Sequence, residues 1–116
     1  DPGAAAKALL DVIDQWERAG HWRQQWTTLR HAAELFGRVG DDEAAAVLLG
    51  AIETHDPLNV YGTDAERLAA LRSTAEARLG PTVEEHFTTG RALQPAEVVA
   101  YARSRLAPTS RAFATA

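Results

Sequence analysis

The side chains with the clearest chemical potential are the histidines and their acidic neighbours, and none of them forms a known metal-binding motif. The four histidines are His21, His31, His55 and His86. No two of them have the His-Glu-x-x-His spacing that puts two ligands on one helix face. Glu84-Glu85-His86 is the densest group of possible ligands, but adjacent helical residues do not share a face, so three ligands cannot converge on one ion. We therefore predict no metal site.

Nucleophile and phosphate-binding motifs are also missing from the sequence. Ser73, Ser104 and Ser110 lie outside any Gly-x-Ser-x-Gly turn. Lys7, the single lysine, follows no glycine-rich phosphate loop. Asp41-Asp42 could mimic a catalytic carboxylate pair, but its place before an apolar run favours helix capping. We predict no catalytic residue and no cofactor, and hence a protein that is not an enzyme.

Length and composition favour a single helical domain of the cytoplasm. The chain has 116 residues, no cysteine and a net charge of −4, which opposes a basic nucleic-acid surface. It has no apolar run of about 18 residues, as a membrane span requires, and no charged-then-apolar leader. No strand-like alternation of apolar and polar residues occurs. We expect an all-α domain over residues 1–107, followed by a loose tail over residues 108–116.

The stretch Trp22 to Ile52 carries the strongest structural signal. Its first half repeats apolar residues at steps of three and four, which places them on one face of a helix: Trp22, Trp26, Leu29, Ala33 and Phe36. Gly40 suits a helix end, and Asp41 or Asp42 can cap the next helix. The stretch therefore predicts two amphipathic helices joined by a tight turn.

Four further helices are predicted around this pair. Turn residues and caps set their expected limits: Pro2 to Arg18, closed by Gly20; Thr63 or Asp64 to Leu79, closed by Gly80-Pro81; Thr82 to Thr89, closed by Gly90; and Pro95 to Leu106, closed by Pro108. The segment from His55 to Gly62 has no helical period and is predicted to be a loop. Short joints between helices imply antiparallel neighbours.

The start of the second helix is the best candidate for partner contact. Trp16, Trp22 and Trp26 could line an aromatic groove for a peptide, but aromatic residues at helical spacing favour a place in the core. The polar residues between them are then expected to be exposed. The predicted partner-binding set is Trp22, Arg23, Gln25, Trp26 and Arg30.

The chain also resembles known protein families. Ala33, Gly40-Asp41 and Ala45 resemble the crossing residue, turn and second-helix alanine of a tetratricopeptide-type helix pair. Two separated stretches carry a second resemblance: Gly40-Asp41 with Ala44 to Ile52, and Leu68 to Leu79 with Gly80, Phe87, Gly90 to Leu93 and Glu97 to Ala102. Together they resemble the C-terminal helical region of bacterial LuxR-type and cyclase-linked signalling ATPases, which are transcriptional regulators common in actinobacteria. Gln94 departs from the serine or threonine that many of these proteins place before the last helix.

The resemblance implies a right-handed stack of about six helices in antiparallel pairs. It also implies a non-catalytic regulatory or protein-interaction module of a larger regulator, whose partners are other domains of the parent or another protein. If such a stack continues upstream, Ala5, Ala6 and Leu10 should be exposed on the outer face of the first helix.

Two other functions stay open. Residues 90–106 could form a DNA-binding helix pair, although Gln94-Pro95-Ala96-Glu97 puts a proline and an acid where a DNA reader needs basic or amide side chains. We therefore expect no direct nucleic-acid contact. A small helical enzyme is the other alternative, and it requires a convergent set of titratable groups.

Overall fold

The computed structural model describes residues 1–112, and helices account for most of that range. The α-helices are α1 (Pro2–Ala19), α2 (Trp22–Val39), α3 (Asp42–His55), α4 (Gly62–Leu79), α5 (Val83–Ala92) and α6 (Pro95–Ala112). Single 3₁₀ turns occupy Pro57–Asn59 and Gly80–Thr82. No strand occurs within residues 1–112, so the all-α prediction is confirmed. None of the helices in this range combines the length and the apolar character needed to cross a membrane.

Local signals set the limits of the first three helices as predicted. The Asp1 carboxylate accepts a hydrogen bond from the Gly3 amide at 3.0 Å, and Pro2 occupies the first helical turn. Gly20 and Gly40 end α1 and α2 with φ of 73° and 84°, a left-handed conformation that glycine adopts without strain. Asp41 caps α3 by accepting from the Ala44 amide at 3.3 Å.

Helix α3 lies at the centre of the fold. Every residue from Ala44 to Ile52 is buried, and α3 packs against α2, α4, α5 and α6. A helix that is apolar on all sides needs such complete cover. Its contact with α5 is the closest, because Gly50 and Gly90 let the two backbones touch. The prediction that Gly90 ends its helix is therefore wrong: Gly90 lies inside α5, where a side chain would separate the helices.

The last helix returns to the first. Helix α6 packs along α1, and the Arg103 guanidinium donates to the Asp14 carboxylate at 2.6 Å across that contact. Ala6 is consequently buried, and Ala5 and Leu10 are partly buried against the core. The expectation that these three residues are exposed is wrong. In a linear stack each repeat contacts only its neighbours, so contact between the first and last helices is a feature that a stack does not predict.

Two predicted helix limits in the second half of the chain are also wrong. Helix α4 begins at Gly62 with no side-chain cap, instead of at a Thr63 or Asp64 cap. Helix α6 continues through Pro108 to Ala112, because packing against the core outweighs the amide hydrogen bond that proline removes. The predicted tail thus begins as helix, with Thr109 buried, and residues 113–116 lie outside the described part of the chain.

Candidate functional site

The connection between α3 and α4 presents the most exposed large apolar side chains among residues 1–112. We call residues 56–61 the connecting segment. Leu58 is 91% exposed and Tyr61 is 74% exposed. Trp22, at the start of α2, is 40% exposed. Large apolar side chains that stand in solvent on one segment mark a candidate contact surface.

A buried ion pair anchors the connecting segment to α2. The Arg30 guanidinium donates to the Asp56 carboxylate at 2.7 Å, and both side chains are almost fully buried. The side-chain amide of Asn59 donates to the other carboxylate oxygen of Asp56 at 2.6 Å, and Arg30 also donates to the Thr27 hydroxyl at 3.1 Å. A buried charge needs this degree of pairing. The segment is therefore fixed at its first residue, although its tip is exposed.

An aromatic column lies beside this anchor. The rings of Trp22 and Trp26 have centroids 6.0 Å apart, and Trp26 stacks on His55 with centroids 5.5 Å apart. The ring Nε2 of His55 lies 2.7 Å from the Leu93 carbonyl oxygen. This column connects the start of α2 with the end of α3 and the end of α5. The core interpretation is confirmed for Trp26, which is buried, but is wrong for Trp22.

The structure divides the predicted partner-binding residues. Trp22 and Arg23 are exposed, whereas Gln25, Trp26 and Arg30 are buried. Gln25 faces α1 and donates to the Ile13 carbonyl at 3.1 Å, and Arg30 is committed to Asp56. The expectation that Gln25 and Arg30 are exposed is wrong, because α2 is covered by α1 on one side and by α3 on the other.

Two depressions flank the connecting segment. On one side is an apolar cavity of about 350 Å³ beneath Pro57 and Val60, between α3 and α4. On the other is a polar cleft of about 290 Å³ bounded by Arg23, Arg30 and Tyr61 together with Thr27, Asn59 and Asp64. Sequence reasoning treated this segment only as a loop. The available signal was a leucine and a tyrosine in a stretch rich in proline, asparagine and glycine.

The titratable groups whose pKa is shifted lie on α6, away from the connecting segment. Burial raises the pKa of the Tyr101 hydroxyl, and the nearby Arg105 guanidinium partly opposes that rise. Arg105 pairs with Asp41 at 2.6 Å, which raises the pKa of Arg105. These contacts tie α6 to the turn before α3. Within residues 1–112, no group of three or more acidic or histidine side chains is placed to hold a metal ion.

The start of α6 carries an acid, as the sequence indicates. The Glu97 carboxylate accepts a hydrogen bond from the backbone N–H of Gln94 at 2.8 Å. This carboxylate therefore occupies the helix N-terminus that a DNA phosphate would need.

Comparison with known proteins leaves the family open. No family model, no curated protein and no solved structure matches this chain.

Proposed function

We propose that the chain is a non-catalytic regulatory module that binds another protein domain. Its docking surface is formed by the connecting segment and the exposed start of α2. The observation that carries the proposal is the pair Leu58 and Tyr61, which are 91% and 74% exposed on a segment fixed by the buried Arg30–Asp56 pair.

Burial of these side chains supplies the binding energy. Covering a large apolar side chain contributes about 1.5–3 kcal/mol, and aromatic residues are frequent anchors of protein interfaces. Because the Arg30–Asp56 pair already fixes the base of the segment, less conformational entropy is lost on binding than for a free loop. Tyr61 also brings a hydroxyl, and Arg23 brings a charged donor, for hydrogen bonds at the rim.

The resemblance to signalling ATPase regulators suggests the partner. In that setting the docking surface contacts another domain of the same parent protein. The parent is then a bacterial, actinobacterial-type transcriptional regulator, its ATPase and DNA-binding functions belong to other domains, and the module works in the cytoplasm.

The test begins with the coding sequence on both sides of this chain. The neighbouring domains are expressed separately and titrated with this chain by isothermal calorimetry. We expect the double variant Leu58→Ser/Tyr61→Ser to weaken binding about a hundredfold. Its circular dichroism should be unchanged, because both side chains are largely exposed. Ala100→Ser, at an exposed position of α6, is the control and should bind like the original chain.

Two results would overturn the proposal. One is a coding region that encodes no further domain, which removes the proposed partner. The other is binding of the double variant with the affinity of the Ala100→Ser control, which removes the proposed surface.

A further inference from the structure

The apolar cavity beneath the connecting segment has the character of a small-molecule site. It holds about 350 Å³ between α3, the connecting segment and α4. Its walls include Leu49 and Ile52 from α3, Val60 from the connecting segment, and Leu68 and Ala69 from α4. This volume lies within the range of ligand pockets, which is about 300–1,000 Å³.

The cavity lies where α4 presents the small side chains of Ala65 and Ala69 towards α3. Helix α4 has 18 residues, of which Leu68 and Ala75 are buried, so few side chains reach inward to fill the space. On the other side, the Arg30–Asp56 pair holds the first residue of the connecting segment against α2. Water inside would find few polar partners on these walls, so an apolar molecule that displaces the water gains free energy.

One ion pair supplies the polar groups at the edge of the cavity. The Arg72 guanidinium donates to the Glu53 carboxylate, and it also lies over the Phe87 ring, 4.1 Å from the centroid. The two opposite charges cancel. A ligand at this edge therefore finds a hydrogen-bond donor and an acceptor but no net charge. An anionic ligand would be repelled by the Glu53 carboxylate, and a cationic ligand would be repelled by the Arg72 guanidinium.

We propose that this cavity binds a neutral small molecule that is mostly hydrocarbon or aromatic and carries one polar group, which hydrogen-bonds to the Glu53–Arg72 pair. The volume corresponds to about a dozen water-sized or methylene-sized groups. The inference concerns a small molecule within the fold and stands independently of the protein-docking surface.

Fluorescence titration with N-phenyl-1-naphthylamine tests the proposal. This probe is neutral and mostly aromatic, has one N–H group, and brightens in apolar surroundings. We expect saturable binding of one probe molecule per chain. Decanol and decanoate then serve as competitors of the same chain length, one neutral and one anionic. Decanol should displace the probe at a concentration about tenfold lower than decanoate.

Filling variants locate the bound probe. Ala69→Phe places a ring in the cavity and should weaken probe binding at least about tenfold. Ala70→Phe is the matched control, because Ala70 is the next residue and lines the separate groove between α2 and α4. It should bind the probe like the original chain. Ala65→Leu fills the same cavity from the first turns of α4. If Ala69→Phe does not fold, probe binding by Ala65→Leu tests the location instead.

Three outcomes would overturn the inference. The first is probe binding that does not saturate. The second is equal probe binding by the folded filling variants and by Ala70→Phe, which places the probe elsewhere. The third is stronger competition by decanoate than by decanol, which contradicts a neutral ligand. The docking proposal is unaffected by any of them, because its assay contains no small molecule.

Discussion

The close contact of α3 with α5 predicts that replacing either of two glycines destabilises the fold, even when the new residue is alanine. A Cβ atom built on Gly90 overlaps the Val47 carbonyl oxygen, and it lies 2.8 Å from the Val47 carbonyl carbon and 3.0 Å from the Ala51 nitrogen. A Cβ on Gly50 overlaps the Phe87 carbonyl oxygen and lies 3.0 Å from its carbonyl carbon. Carbon atoms in good contact are about 3.5–4.0 Å apart, so the helices must separate.

The expected cost follows from two opposing effects. Alanine favours a helix over glycine by about 1 kcal/mol. Overpacking costs about 1–3 kcal/mol, and here the cost exceeds the usual range because the obstacle is backbone, which cannot rotate away. We expect Gly50→Ala and Gly90→Ala each to lower the free energy of unfolding by at least about 2 kcal/mol. The melting temperature should fall by at least about 8 °C.

Gly37→Ala is the matched control. Its Cβ would overlap only the δ1 methyl of Leu71, whose Cγ lies 3.8 Å away. That side chain is partly exposed and can rotate. The helix preference of alanine should therefore dominate, and stability should change by less than about 1 kcal/mol.

Urea unfolding provides the assay, with far-UV circular dichroism to follow the helices and tryptophan fluorescence to follow α1 and α2, which contain the three tryptophans. Variants are compared by the urea concentration at the midpoint of unfolding. This comparison requires that the dependence of the unfolding free energy on urea concentration is unchanged, since a change in that slope indicates a changed folded or unfolded state. If Gly50→Ala and Gly90→Ala are as stable as Gly37→Ala, the two backbones do not touch, and the account of α3 as the tightly covered centre fails.

Three further predictions concern polar groups and the end of α6. Arg30→Ala leaves a buried carboxylate unpaired and should cost about 3–5 kcal/mol in urea unfolding, whereas Arg91→Ala, which removes an exposed pair, should cost less than about 1 kcal/mol. The raised pKa of Tyr101 means that its contribution to stability is complete below the ordinary value of 10.0 and is lost as the pH rises through the folded-state pKa. In a Tyr61→Phe variant, which leaves Tyr101 as the single tyrosine, ultraviolet titration of the folded protein should give an inflection above pH 10.0, and an inflection at or below it would contradict the burial. Pro108→Ala restores an amide donor inside α6 and should raise the melting temperature. A lower melting temperature would show that the contacts of the proline ring stabilise the fold.

The helices themselves could be predicted because their signals are local. Asp1 and Asp41 cap the amides of residues two and three positions further on, and Gly20 and Gly40 adopt their left-handed conformation within the same turn. Each of these interactions spans a few residues. The apolar steps within α3 likewise predicted an amphipathic helix, whereas its cover on all sides depends on the distant helices that pack against it.

The candidate site could be predicted only in part. The sequence singled out the start of α2, but periodicity could not distinguish exposed Arg23 from buried Arg30. That distinction depends on Asp56, which lies 26 residues further along the chain. Leu58 and Tyr61 were missed because loop residues carry no period that reports their exposure.

By itself, the sequence determined an all-helical chain and the joints between the first three helices, because propensity, capping and periodicity act over a few neighbouring residues. Tertiary structure alone decided that α6 closes on α1, that Gly90 serves helix packing instead of a helix end, and that α6 continues through Pro108. It also decided that a cavity opens under the connecting segment. The physical reason is the same in each case: these features depend on which distant surfaces meet, and burial across such contacts outweighs the local preference of a single residue.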